Sequence, residues 1–166
     1  MQSVAVSGTI SGLLGQSLFL TLFASSVVED LAIGREETTF SFSAKVVVGT
    51  HYEVFVSDPP INPSQDCEVM LGEGSVPETG VTDVSIVCTT RTTKLSGSII
   101  GLNSAGLVLR NTSGGTTSDI TIAANATRFS FNEYEDQTPF AVGIVTQPAG
   151  LFCEVTNATG AIKVGA

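Results

Sequence analysis

One histidine, three cysteines and sixteen acidic residues are the side chains from which a hydrolytic or metal site would be assembled in this chain. A Ser-His-Asp triad would have to use His51. No Gly-x-Ser-x-Gly elbow accompanies it, and its place beside Gly49-Thr50, just before a strand, reads as an exposed loop histidine. Carboxylate pairs suited to glycoside chemistry occur at Glu29-Asp30, at Glu36-Glu37 and among Glu133, Glu135 and Asp136. All fall where turns or strand ends are expected, so they read as solvated charges. The spaced Asp/Asn loop with a closing Glu that holds calcium is absent. One histidine and scattered cysteines do not make a zinc site, and no Gly-rich loop with a lysine cradles phosphate. The expectation is a protein without catalytic residues, cofactor or metal. Asn111-Thr112-Ser113, Asn125-Ala126-Thr127 and Asn157-Ala158-Thr159 are formal glycosylation sequons, read here as chance in Thr-rich turns.

The elements around these residues read as strands separated by turn signals. Val4 to Ser11 sets Val4, Val6, Gly8 and Ile10 against Ala5, Ser7 and Thr9, the period of two of a half-buried strand. Leu18 to Phe23 is apolar on both faces, which suits a central strand. Phe40 and Phe42 share one face of Thr38 to Ala44, and Tyr52, Val54 and Val56 share one face of Tyr52 to Val56. Pro59, Pro60 and Pro63 place an edge loop between strands. Ser113-Gly114-Gly115 marks a turn between two strands. No segment shows a capped helical stripe. Cys67 to Leu71 and Val81 to Cys88 read as a final antiparallel pair. If Cys67 starts one strand and Cys88 ends its neighbour, the two thiols face each other. A bridge there closes a loop worth roughly 3 kcal/mol in the chain-entropy picture and implies an oxidising compartment.

Sliding the chain over itself shows a repeat. At a shift of 89, residues 6–42 align with residues 95–131 without a gap, and 13 positions are identical. They include Ser7-Gly8 with Ser96-Gly97, Leu18 and Leu20 with Leu107 and Leu109, and Phe40-Ser41-Phe42 with Phe129-Ser130-Phe131. Further on, Cys67-Glu68-Val69 meets Cys153-Glu154-Val155 at a shift of 86. Two repeats follow, residues 4–90 and 93–166, joined by Thr89-Thr90-Arg91-Thr92. The segment that would match Val81 to Cys88 falls beyond residue 166. The second repeat is therefore expected to lack its final strand, leaving Cys153 unpaired and either a bare edge, near Cys153 to Asn157, open to strand-mediated self-association or local disorder after about Asn157. Two all-β units of this size fit tandem immunoglobulin-like or prealbumin-like β-sandwiches.

Composition bounds the partners. Charged residues make up 14% of the chain and the net charge is −9. Residues 1–90 hold Arg35 and Lys45 against eleven acids, and the remainder balances five against five. Such a surface repels phosphate backbones, so no nucleic-acid partner is expected. No apolar run reaches the ~20 residues of a membrane-spanning helix. Leu13 to Ala24 imitates a secretion signal, but the first positive side chain is Arg35, well after it, so a strand is expected there.

Each repeat resembles a tandem repeat of large secreted or lipid-anchored bacterial surface proteins. The resemblance rests on Val6 to Leu13, Gly49 to Val56, Val81 to Cys88, Leu107-Val108-Leu109 and Thr146-Gln147-Pro148-Ala149-Gly150-Leu151-Phe152-Cys153. The first repeat departs from it at Ser57 to Asp66, where extra residues replace a short T-Q-P-x-G. The resemblance implies an extracytoplasmic location and repetition, and it implies no chemistry. The function expected is a structural or adhesive surface module whose partner is a protein or a glycan. A carbohydrate- or protein-binding accessory module is a second reading, and a fimbrial-type subunit completed by a donor strand is a third.

Overall fold

The computed structural model describes residues 1–165, and these form sixteen strands and no helix. The chain divides into two compact units, Met1–Arg91 and Thr92–Ala166.

The first unit begins with β1 (Ser3–Val4) and β2 (Val6–Ser11), a break at Ala5 dividing the strand expected from the alternation. It continues through β3 (Leu18–Ala24), β4 (Val27–Ile33), β5 (Thr39–Ser41), β6 (Val46–Val47), β7 (His51–Asp58), β8 (Gln65–Met70), β9 (Glu73–Ser75) and β10 (Val81–Thr90). One sheet has the order β5-β2-β10-β8, a second β4-β3-β7-β9, and β1 pairs with β6. All pairings are antiparallel except β2 with β10, which run parallel. Period two explains the packing: Val6 and Ile10 of β2, Phe40 of β5, and Val84, Ile86 and Cys88 of β10 turn inward from the first sheet. Leu18, Leu20, Leu22, Tyr52 and Val54 turn inward from the second, and all join one buried cluster. β3 lies between two neighbours, as its apolar character requires. Its outward side is covered unevenly: Thr21 is buried, whereas Phe23 is 49% exposed.

The second unit contains β11 (Thr92–Ser98), β12 (Leu107–Ser113), β13 (Thr116–Ile122), β14 (Arg128–Glu135), β15 (Pro139–Thr146) and β16 (Thr159–Ala161). Its larger sheet, β13-β12-β15-β16, has the order of β4-β3-β7-β9. The registers agree too: Leu18 faces Ile33 and Leu107 faces Ile122, each shifted by 89. The hairpin β12–β13 closes on Gly114 and Gly115, at φ of 55° and 79°, the left-handed pair that a tight two-residue turn demands. The other sheet is reduced to β11 and β14. No strand spans the Cys153 to Asn157 stretch, where an edge strand was expected, yet β16 forms after it, at the shift of 86 from β9.

Candidate interaction surface

The two cysteines of the first unit stand directly opposite each other in the β8–β10 ladder, Cys88 facing Cys67. A disulfide joins them, with a Cα–Cα distance of 4.0 Å. Cys153 is a free thiol, half-buried. Its backbone is held by Gln147, whose Oε1 accepts from the Cys153 N–H at 2.9 Å and whose Nε2 donates to the Cys153 carbonyl at 3.0 Å.

Elsewhere the structure moves several expected site residues. His51 is the first residue of β7, exposed and facing Ser75 of β9, so it belongs to a strand and not to a loop. Glu29 and Asp30 lie inside β4, which the sequence reading did not recognise as a strand. Both carboxylates are hydrogen-bonded within the unit. The Glu29 carboxylate accepts from the Ser43 and Ala44 N–H groups at 3.0 and 2.8 Å and from the Ser43 hydroxyl at 2.8 Å. Partial desolvation raises its pKa, but the three donors outweigh it and hold the carboxyl below its ordinary value. Asp30 accepts from the Thr21 hydroxyl at 2.6 Å. At the matching position of the second unit Asp119 takes a two-pronged bond from Arg110, at 2.6 and 2.7 Å. Glu133 and Glu135 also sit in a strand, β14, while Asp136 is buried in the turn after it and accepts from the Val164 N–H at 2.9 Å. Glu36 follows in a turn at a φ of 64°. Among the described residues no group of three or more His, Cys, Asp or Glu side chains is gathered to hold a metal ion.

Pro59 to Ser64 form a loop between β7 and β8, and Pro60 is fully buried within it. Its loop is pinned where Gln16 and Ile61 exchange backbone hydrogen bonds at 2.8 and 2.9 Å. Gln65, 1% exposed, closes that region: its Oε1 accepts from the Leu14 and Gly15 N–H groups, and its Nε2 donates to the Gly12 carbonyl. Asn111 is also buried, at 1% exposure, so the first sequon is closed to modification in the folded chain.

Two surfaces are left with unsatisfied apolar character. The first is the outward face of β4-β3-β7. There Phe23 and Phe55 are 49% and 40% exposed, and Val28 lies opposite Phe23. The alternation of β3 and β7 sets Phe23 and Phe55 on the side opposite Leu22 and Val54. The second is a groove of about 610 Å³ in the second unit, walled by β11 and the Leu151 to Asn157 segment and floored by Leu107, Leu109, Val142 and Ile144. Ile100 and Phe152 at its rim are 95% and 80% exposed. Cys153 lines it.

No protein-family model matches the chain, and no curated protein matches it either. What stands is the class defined by the structure: an all-β protein with a disulfide-bonded cysteine pair and no helix among the described residues long and apolar enough to cross a membrane.

Proposed function

We propose that the chain is a non-enzymatic, extracytoplasmic structural or adhesive module made of two tandem immunoglobulin-like or prealbumin-like β-sandwich repeats, of the kind found in bacterial surface proteins. The observation that carries the reading is the Cys67–Cys88 bridge laid across neighbouring strands of a small unit. Such a staple is compatible with an oxidising compartment and suits a domain with a thin core. The repeated registers of the two hairpins support the tandem arrangement. The interactions of Glu29, Asp30, Asp119 and Asp136 support the non-enzymatic part, since each carboxylate is committed to a structural bond. The test is surface proteolysis of intact producing cells with antibody detection of this segment. Loss of signal on protease treatment is expected, and a signal protected until lysis would overturn the location. In parallel, His51→Ala should leave ester, peptide and glycoside hydrolysis assays unmoved; an activity abolished by that change would overturn the non-enzyme reading.

A specific observation favours the second reading, binding of a glycan or protein as an accessory module. Phe23 and Phe55 stand on one open sheet face with the diagonal spacing that lets aromatic side chains meet a common surface. A glycan array probed with the parent and with Phe23→Ala/Phe55→Ala decides it: signals lost in the variant establish that face as the binding site.

A further inference from the structure

The two units carry the same sheet with different outward faces. In the first, Phe23 lies between Val28 and Glu53 across the ladder, and Glu53 faces Glu73. All four are exposed. One row along, the exposed Phe55 faces Thr21, whose other neighbour is Asp30. In the second unit the same register sets Thr112 between Thr117 and Ala141, and Ala141 faces Thr159. Gly143 stands in the place of Phe55, opposite Arg110. Strand order and register are thus kept with no aromatic ring at the places of Phe23 and Phe55 and no carboxylate at those of Glu53 and Glu73. The sheet does not need these four side chains, and two of them oppose it. Like charges directly opposite on neighbouring strands destabilise, and neither Glu53 nor Glu73 has an ion-pair partner among the described residues.

We infer, building on the accessory-binding reading of this face, that its occupant is a basic segment of a separate protein. An apolar side chain of that segment sits over Phe23 and Val28, and an arginine or lysine two positions along reaches Glu53 and Glu73. Neighbouring strands stand ~4.8 Å apart, so the apolar half of the row lies roughly 10 Å from its acidic half. Two residues of extended chain rise ~7 Å. The long stem of a basic side chain spans the difference while lying along the Phe23 ring, whose negative face also attracts the cation. Charge selects this occupant over others. Residues 1–90 hold eleven acidic side chains against Arg35 and Lys45, and neither of those lies in β3, β4, β7 or β9. A second copy carries the same net charge of −9 and is repelled, as are anionic lipid and nucleic acid. A neutral glycan covers the rings but leaves the two carboxylates facing each other.

The test titrates the full, isotope-labelled chain with the synthetic peptide Leu-Thr-Arg-Thr-Leu-Thr-Arg and with a control carrying Glu for both Arg. The basic peptide should shift the backbone amide signals of β3, β7 and β9, with an affinity that falls as salt is raised, and the acidic control should not bind. Glu53→Ala/Glu73→Thr gives those places the residues of the second unit, and Phe23→Thr/Phe55→Thr keeps strand-forming residues. Each double variant should weaken the basic peptide about fivefold or more. The acid variant should keep or raise the melting temperature, because it removes the like-charge pair. Failure of the basic peptide to bind, equal binding of both peptides, shifts centred elsewhere, or a melting temperature that drops together with the affinity would overturn the proposal. The glycan array separates this failure from that of the underlying reading. A glycan retained by the acid variant and lost by the Phe variant would keep the face as a binding site and overturn the basic partner. Neither peptide nor glycan on this face would overturn both, and a dimer dissolved by the Phe variant would assign the face to a second copy and overturn the commitment to a separate protein.

Discussion

Replacing Asn111 by Leu should stabilise the second unit, against the usual expectation for a core substitution. Asn111 is 1% exposed, and neither its Oδ1 nor its Nδ2 has a hydrogen-bond partner among the described residues. The repeat shift of 89 places it on Leu22, which is 0% exposed at the centre of the first core. A buried polar group left unsatisfied costs about 1–3 kcal/mol, and a buried leucine contributes about 1.5–3 kcal/mol relative to exposure. Imperfect fit returns about 1–3 kcal/mol. The expected net gain is about 2 kcal/mol, a rise of roughly 8–16 °C in the melting temperature of a unit this small. The chain has no Trp and two Tyr. Tyr52 lies in the first unit and Tyr134 in the second, so in a Tyr52→Phe background tyrosine emission reports the second unit alone. Urea unfolding of Asn111→Leu in that background should move the midpoint upward with the slope unchanged. An unchanged or lowered midpoint would refute the reasoning and mean that the cavity tolerates the amide. Ser113, the neighbouring buried polar residue, sharpens the contrast: its hydroxyl donates to the Pro139 carbonyl at 2.8 Å, and Ser113→Ala should give no such gain.

Alkylation of native protein followed by intact-mass measurement should count one reactive thiol, Cys153, and three after reduction; reduction should cost the first unit roughly 3 kcal/mol. Phe40→Ala should destabilise by about 3–5 kcal/mol, and Phe129→Ala by clearly less, because the second ring is half-buried where the first is 6% exposed; equal losses by chemical denaturation would contradict the open groove. Glu29 has its folded pKa lowered, so its contribution is full at neutral pH and is lost as pH falls through the folded value. Unfolding midpoints of Glu29→Gln should therefore fall less steeply than those of the parent below about pH 4, and parallel curves would show that the Ser43–Ala44 clamp is not felt in stability.

Much of the strand pattern was legible because period-two alternation is a local signal. Leu18, Leu20 and Leu22 declare a buried face without any knowledge of the partner strands, and the pairing of Phe40 with Phe42 does the same. β4 escaped because Glu29 and Asp30 interrupt its apolar run, and their reason for being there is a non-local one: the N–H groups of Ser43 and Ala44, and the Thr21 hydroxyl. The parallel pairing of β2 with β10 escaped for the same kind of reason. It joins residues some 75 apart, and nothing in either strand's composition states the direction of its neighbour. The outward places of Phe23 and Phe55 are legible in the same way as the alternation of Leu18, Leu20 and Leu22, since their odd positions beside Leu22 and Val54 set them on the other face.

The second unit shows how strongly one strand controls a core that does not contain it locally. The sheet β13-β12-β15-β16 keeps the order of its counterpart, since all four of its strands lie within residues 107–161. The opposing sheet loses more than one strand. With no strand at the β10 position among the described residues, the segment around Cys153, at the position of β8, has no ladder to join and runs without strand geometry. β8 and β10 are thus mutually dependent: each backbone needs the other as a hydrogen-bond partner, and an isolated pair is marginal without the β2 edge to dock on. The groove is the volume left by that cooperative pair. Its hydrophobic floor and its half-buried thiol lie open among the described residues at the place that β10 fills in the first unit.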